Sequence, residues 1–279
     1  MGARLYVIAR SASLGRARTA HSAPMSLARR VFAARLLTIV GLLVTWEAYA
    51  SAAPANALFV SSPRRVATAL VGMIASGQLW PHVAATASEA SLGLALACAV
   101  GIPLGIVMGR SAFVRLTIEP IVMAKYASPT VAFLPLIILW LGIGISSKIA
   151  LVFLGTVVVL IINSEAAVAG VDRRLVEAAR AFTASEWQVN TKVILPAALP
   201  VILAGLRLAI GRALIMVVVA EMYASTVGLG YLIFHGAAAF DSTLVFVGVI
   251  VLAGAGVASN AILRSIERRL APWREANAE

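Results

Sequence analysis

The stretch DRRLVEAARAFTASEWQVNTKVILPAALP, residues 172–200, decides the fold class of this chain. Its apolar positions recur at spacings of three and four, so they share one face of a predicted helix: Leu175, Ala178, Ala179 and Phe182. Asp172 can cap the start of that helix, and Pro196 marks entry into a long apolar segment. A short amphipathic helix beside such a segment is expected to lie on a lipid surface or to dock into another protein.

Composition places the rest of the chain in a membrane. Hydrophobic residues make up 61% of the 279 positions and charged residues only 13%, whereas soluble proteins carry about 25% charged residues. A chain of this composition cannot cover its own surface with polar groups. The sequence therefore predicts an integral membrane protein.

Six apolar stretches have close to the roughly 20 residues that a bilayer requires. We predict membrane spans at residues 36–53, 83–108, 117–141, 149–169, 193–220 and 242–263. The predicted fold is therefore all-α, with six transmembrane helices in a membrane domain at 36–270. A loop at about 170–192 interrupts that domain, and tails at 1–35 and 271–279 flank it.

Lys and Arg residues are unevenly distributed between the two sides of the predicted bundle. Most of the 23 fall in the N-terminal tail, after the second span, in the loop and near the C terminus, whereas Arg64, Arg65 and Lys148 fall on the other side. Because positive loops stay in the cytoplasm, both termini and the loop are predicted to be cytoplasmic. The basic tail is predicted to be disordered, with Met1 or Met25 as its start. Nucleic-acid binding is not expected, because no basic patch is interleaved with aromatic residues.

The third predicted span contains the run YASPTVAFLPLIILWLGIG, residues 126–144. Pro129 and Pro135 each remove a backbone donor, so this span is predicted to be kinked or interrupted. Freed carbonyls at membrane depth are tolerated where protein or a watery cavity surrounds them. This favours a place for Ser128 and Thr130 along a translocation pathway, and the alternative is a kinked helix that only packs against its neighbours.

A further apolar segment, AEMYASTVGLGYLI at residues 220–233, follows the fifth span. Two glycines in it permit a non-helical turn: Gly228 and Gly230. A re-entrant or interfacial segment on the external side is therefore predicted. Glu221 is an ionisable residue near a membrane boundary, which makes it a candidate pathway residue. The alternative is a structural acid paired with Arg207 or Arg212.

Several kinds of catalytic site are not expected on this chain. The sequence has no Gly-x-x-x-x-Gly-Lys-Ser/Thr phosphate loop and no paired histidines, cysteine cluster or closely spaced acids typical of a metal or hydrolytic site. A membrane-embedded enzyme is thus disfavoured, and any ATP hydrolysis is expected on another polypeptide. No cofactor or metal is expected on this chain.

The run at 172–200 resembles the coupling loop of bacterial ABC importer permeases, whose pattern is Glu-Ala-Ala, three residues, Gly, about nine residues, an apolar residue, any residue and Leu-Pro. Glu177, Ala178 and Ala179 match the opening of this pattern, and Leu195 and Pro196 match its end. By this resemblance the residues that couple to an ATPase are Glu177, Ala178, Ala179, Arg180, Phe182, Thr183, Leu195 and Pro196.

Thr183 stands where the family pattern carries glycine. Glycine there allows a tight turn at positive φ, which a β-branched residue resists. We therefore expect either a helical or extended turn at Thr183, or a hydrogen bond from its side chain.

The remaining motifs are similar to those of the nitrate, sulfonate and taurine branch of these importers. The resemblance runs from about Ser61 to Trp273 and includes the third-span features Pro135, Leu136, Trp140, Gly142 and Gly144. It implies a multi-pass permease in a bacterial inner membrane that moves a small anionic solute by alternating access. The candidate pathway residues are Ser128, Pro129, Thr130, Pro135 and Glu221, and Arg207 and Arg212 favour an anion if they face the cavity.

The resemblance also implies partners. These are cytoplasmic ABC ATPase subunits that bind ATP and Mg²⁺, a periplasmic or lipid-anchored substrate-binding protein, a second permease copy in a homodimer, and membrane lipid. Two alternatives remain open from the sequence: a secondary transporter or channel without an ATPase partner, and a membrane scaffold that transports nothing.

Overall fold

The computed structural model describes residues 24–52 and 59–270, and every described secondary-structure element is helical. The α-helices are α1 (Pro24–Ala52), α2 (Pro63–Ala75), α3 (Leu79–Arg110), α4 (Ala112–Ala127), α5 (Leu134–Leu141), α6 (Ile145–Ala169), α7 (Arg173–Ala181), α8 (Glu186–Gln188), α9 (Leu195–Ala224), α10 (Leu229–Ala238) and α11 (Ser242–Leu270). A 3₁₀-helix at Thr130–Phe133 separates α4 from α5, and a π-helical segment at Val189–Ile194 joins α8 to α9.

The described residues hold five helices that are long and apolar enough to cross a membrane, and six spans if α4 and α5 form one broken span. This confirms the predicted all-α membrane fold. The helix α1 belongs to a unit separate from the described residues 59–270. Its Thr38 and Thr45 hydroxyls donate to carbonyls one turn earlier, at 2.9 and 2.7 Å, so neither hydroxyl hydrogen is left unpaired in an apolar helix.

The third span is broken, as its prolines predict. The axes of its two halves differ in direction by 89°. Ser128 ends α4 in an extended conformation, with ψ at 134°, because the ring of Pro129 disfavours a helical residue before it. Pro135 lies in the first turn of α5, where its missing N–H has no helical partner to lose.

The helices α3 and α6 run in the same direction and lie in close contact. An added Cβ on Gly105 would lie 2.7 Å from the Ser164 Cβ, and one on Gly101 would lie 2.9 Å from the Val157 carbonyl oxygen. Small residues allow such close packing of helices in membranes. This contact, together with the packing of α9 against α6 at Gly155 and Met216, forms the centre of the bundle.

Three clusters of buried residues follow one another along α6. The first joins α3, α5, α6 and α9 and contains Ala90, Leu134, Ile137, Leu151, Val152, Ala213 and Val217. The second joins α3, α4, α6 and α9 and contains Ala97, Val122, Val158, Leu160, Ile161 and Ala209. The third contains Ala167, Val168, Val189, Ile194 and Ala198. We call the end of the bundle with the third cluster the loop end, because residues 170–194 lie there, and the other end the opposite end.

Three features differ from the sequence-based expectations. The helix α1 begins at Pro24, inside the predicted N-terminal tail, while residues 1–23 and 271–279 lie outside the described residues. The helix α2 was not predicted, although Ser62 caps it through the Arg65 N–H at 3.3 Å and Pro63 occupies its first turn. Lys148 was placed in a loop, but it lies in the first turn of α6 and is buried.

Candidate functional site

The predicted surface helix is present as α7. The Asp172 carboxylate accepts a hydrogen bond from the Arg174 N–H at 2.9 Å and so caps the helix start. At the other end, the Thr183 N–H donates to the Arg180 carbonyl at 2.9 Å and the Ala184 N–H donates to the Ala179 carbonyl at 3.1 Å. This pair of bonds is a Schellman motif, which ends a helix with one left-handed residue.

Thr183 is that left-handed residue, with φ at 58°. The expectation of a helical or extended turn is therefore wrong, because the Schellman bonds impose a positive φ whatever residue is present. The Thr183 hydroxyl donates to the Phe182 carbonyl at 2.7 Å, in agreement with the second expectation. The turn that glycine would favour is thus kept, at a conformational cost that a β-branched residue brings.

The apolar residues of α7 are divided between two faces. Val176 and Ala179 pack against the third cluster. Leu175 and Phe182 point away from the bundle, and their side chains are 51% and 86% exposed. The prediction that Ala179 shares the face of Leu175 and Phe182 is therefore wrong, because Ala179 packs α7 against the membrane helices.

Two arginines converge on one carboxylate beside α7. Arg180 donates to Glu186 Oε1 at 3.1 and 2.8 Å, and Arg110, at the end of α3, donates to Glu186 Oε2 at 2.9 Å. Glu177 is exposed and lines a cavity of about 510 Å³ together with Arg110 and Arg180. Glu186 thus ties the surface helix to the end of a membrane span, although each of these bonds is solvent-exposed and individually weak.

The end of the predicted loop motif leads into α9. Leu195 begins that helix and Pro196 lies in its first turn. A proline inside a helix clashes with the carbonyl four residues earlier, and the wider π-helical turn at Val189–Ile194 lies where this clash would arise. Because Val189 and Ile194 are buried in the third cluster, α7 and α9 are joined through packed residues.

The candidate pathway residues lie in two separate places. Ser128, Pro129, Thr130 and Pro135 surround the break between α4 and α5, where the Ser128 hydroxyl donates to the Ala124 carbonyl at 2.8 Å. Thr130 is buried and accepts a hydrogen bond from Lys125 at 2.9 Å. Glu221 lies elsewhere, near the opposite end of α9.

Glu221 is the centre of a buried hydrogen-bond network and is 0% exposed. One carboxylate oxygen accepts from the Thr86 hydroxyl at 2.6 Å, and the other accepts from the Gly230 N–H at 2.7 Å. The Thr86 hydroxyl oxygen in turn accepts from the Leu229 N–H at 2.8 Å. Glu221 therefore fixes the first turn of α10 to α3 and α9.

The alternative in which Arg207 or Arg212 pairs with Glu221 is not found among the described residues. Arg207 pairs with Glu267 of α11 at 2.6 Å, and no carboxylate of the described residues lies within 4 Å of Arg212.

A buried ion pair lies next to this network and was missed from the sequence. Lys148 of α6 pairs with Glu89 of α3, and it also donates to the Ser225 hydroxyl at 3.0 Å. The signal was present, because each residue is a lone charge at the edge of an apolar stretch, and ionisable residues in such stretches are usually paired. Only the fold brings the two together.

Comparisons with known proteins agree with this architecture. Residues 101–272 match the family described as the binding-protein-dependent transport system inner membrane component. The chain is 34% identical to the aliphatic sulfonates transport permease protein SsuC of Bacillus subtilis (strain 168), over 86% of this chain and 87% of that protein. It is 36% identical to the taurine transport system permease protein TauC of Escherichia coli (strain K12), over 85% and 88%.

A riboflavin permease and a methionine transporter are similar to this chain as well. The riboflavin transport system permease protein RibX of Chloroflexus aurantiacus is 35% identical over 85% of this chain and 88% of that protein. A chain from an inward-facing structure of the MetNI methionine ABC transporter superposes with a TM-score of 0.61 at 20% identity, over 69% of this chain and 95% of that one. No comparison favours the secondary-transporter alternative. The chain therefore belongs to the binding-protein-dependent transport family and is an ABC transporter permease of the branch that contains the sulfonate and taurine permeases.

Proposed function

We propose that this permease imports a small anionic solute of the sulfonate class, and that ATPase subunits bound to α7 drive the import. The exposed apolar pair of Leu175 and Phe182 carries this proposal, because two large apolar side chains that point away from the bundle on one surface helix suit a contact with another protein. The positive loops support a cytoplasmic position for α7 and both termini. The relatives that transport sulfonates and taurine support the substrate class.

The contacts of α7 with the membrane helices indicate how movement of the ATPase would reach the pathway. Docking of α7 in a cleft of an ATPase would bury the Phe182 side chain, which contributes about 2 kcal/mol. Val176 and Ala179 connect α7 to the third cluster, so a displacement of the docked helix is passed to α6 and α9. Interfaces and packed cores switch between discrete arrangements rather than bending continuously, and the break between α4 and α5 is a place where such a switch can open the pathway.

The proposal includes partners that the chain itself does not supply. ATP hydrolysis takes place on cytoplasmic ABC ATPase subunits, and an external binding protein delivers the solute. Six spans enclose little pathway alone, so a second copy of the permease completes it. The buried network around Glu221 holds α10 at the end where the binding protein would dock.

A pull-down tests the coupling role of α7. Phe182→Asp and Ala178→Asp should leave the permease in the membrane and lower its affinity for the ATPase at least about tenfold, since about 1.4 kcal/mol corresponds to that factor. Phe240→Asp is the matched control, because Phe240 is also an exposed aromatic residue but lies at the opposite end. Unchanged ATPase binding by both loop variants would contradict the docking role.

Uptake measurements test the substrate class. The complex of permease, ATPase and binding protein in proteoliposomes should accumulate taurine or ethanesulfonate when ATP is supplied. Accumulation of riboflavin without either sulfonate would contradict the anionic class.

A further inference from the structure

Two cations lie at the same level in the middle of the bundle. Lys125 of α4 lies one turn beyond Val122, which is buried in the second cluster. Arg212 of α9 lies between Ala209 of the second cluster and Ala213 of the first. Both side chains therefore stand where the two clusters meet, within segments that are apolar enough to cross a membrane.

Lys125 is held in place but is not neutralised. Its ammonium group donates to the Thr130 hydroxyl at 2.9 Å and lies 5.3 Å from the centroid of the Phe133 ring. These are contacts with a neutral hydroxyl and an aromatic face. In the described part of the chain, no carboxylate oxygen lies within 4 Å of the Lys125 ammonium.

Arg212 lacks a counter-charge as well. Its Nε is enclosed and has no hydrogen-bond partner among the described residues. Because Lys125 and Arg212 stand at the same level of an apolar region, their two positive charges repel each other. An enclosed donor without an acceptor and two like charges in an apolar region are each unfavourable. An anion bound between Lys125 and Arg212 would accept a hydrogen bond from the Arg212 Nε and would offset the repulsion between the two positive charges.

We infer that Lys125, Thr130 and Arg212 form a binding site for the oxyanion group of the transported solute, halfway along the pathway. This inference rests on the proposed function. A guanidinium presents donors in a plane that matches two oxygens of one sulfonate or carboxylate group. The Lys125 ammonium adds a compact positive charge. Because the Thr130 hydroxyl accepts from Lys125, its own hydrogen is free to be donated to a third oxygen.

A second arginine on α9, Arg207, differs from Arg212 because it has a carboxylate partner. Arg207 also lies on α9, but it forms an ion pair with Glu267 at 2.6 Å. The Glu267 carboxylate therefore neutralises the Arg207 charge, and Arg207 is not part of the site. Arg207→Gln is for this reason a matched control for Arg212→Gln, with the same residue type, helix and substitution.

Binding of radiolabelled ethanesulfonate to the purified permease–ATPase complex in lipid nanodiscs tests the site. The wild-type complex should bind the probe saturably, and unlabelled sulfate should displace it whereas ethylammonium should not. Arg212→Gln and Lys125→Gln should each weaken binding at least about tenfold, and Arg207→Gln should change it less than about twofold. Lys125→Arg should keep most of the binding, because it preserves the charge.

Three results would overturn the site. These are no saturable binding to the wild-type complex, equal binding by Arg212→Gln and wild type, and dissociation of the permease pair in both glutamine variants. The last result, seen by size-exclusion chromatography, would mean that a carboxylate of a second copy neutralises these cations. If either glutamine variant fails to fold, Thr130→Val serves instead, with a several-fold loss of binding expected and unchanged binding contradicting the site. Binding that follows the expected pattern without ATP-driven uptake would refute the proposed function and leave the site intact.

Discussion

The buried pair of Lys148 and Glu89 offers the sharpest test of how this bundle is held together. Their side chains are only 5% and 4% exposed. The Oε2 atom of Glu89 has no hydrogen-bond partner among the described residues, so Lys148 is the group that compensates this carboxylate. Replacing Lys148 by methionine keeps the length of the side chain and removes that compensation.

Lys148→Met is expected to lower the free energy of unfolding by about 3–5 kcal/mol, the typical cost of leaving one buried charge unpaired. Ser225 keeps other hydrogen bonds, with Val227 at 2.5 and 3.3 Å, so most of the loss comes from Glu89. The double variant Lys148→Met/Glu89→Met removes both charges. Its stability should return to within about 2 kcal/mol of the wild type, because apolar replacement of a buried pair is often neutral.

Thermal unfolding of the purified permease, followed by tryptophan fluorescence, measures these differences. At about 2–4 °C per kcal/mol for a domain of this size, the single variant should lose roughly 10 °C. The control is Arg180→Met, which breaks the exposed pair with Glu186, at 53% and 62% exposure. That change should cost about 1 kcal/mol or less. A single-variant loss below about 1 kcal/mol, or a double variant as unstable as the sum of both singles, would refute the reasoning.

Three further changes test the backbone contacts. Thr183→Gly should slow amide exchange at the end of α7 by relieving up to about 1 kcal/mol of left-handed strain, whereas Ala181→Gly should speed it; the same direction in both would contradict the assigned turn. Gly105→Val should cost about 1–3 kcal/mol by forcing α3 from α6, and Gly72→Val, which has open space around it, should leave the melting temperature unchanged. Gly228→Ala should destabilise to a similar extent, since φ is 128° and the new Cβ would meet the Glu221 carboxylate; a wild-type melting temperature would show that the carboxylate moves without cost.

Much of the fold could be predicted from the sequence because membrane burial leaves a local signal. The span lengths, the break at Pro129 and Pro135 and the cap at Asp172 each depend on residues that are close in the chain. The helix α2 was not predicted because it is short and its apolar content is modest, although Ser62 and Pro63 mark its start. A search limited to stretches near the length of a membrane span does not find such a helix.

The site could be predicted only in part, for a different physical reason. The sequence placed Ala179 on the wrong face because helical periodicity gives two apolar faces without saying which one the bundle covers. It left the partner of Glu221 open because that carboxylate is satisfied by Thr86 and by the Gly230 N–H. Those contacts depend on how α3, α9 and α10 meet, and they join positions far apart in the chain.

The cationic residues of the described membrane segments fall into two groups, those that pair with a carboxylate and those that do not. Lys148, Arg115 and Arg207 each lie within 4 Å of a carboxylate on another helix, so their charges serve to fasten helices together. Lys125 and Arg212 lie at the level where the first and second clusters meet, and neither has a carboxylate of the described residues within 4 Å. A permease that must release its solute cannot neutralise its binding groups with its own acids, since a permanent counter-ion would compete with the passing anion. Mutual repulsion between the two cations also favours uptake of an anion between them, and conduction requires that such binding stay weak enough for release. On this argument, adding an acid beside them, as in Thr130→Glu, should abolish ethanesulfonate binding while leaving the permease folded, and retained binding would refute it.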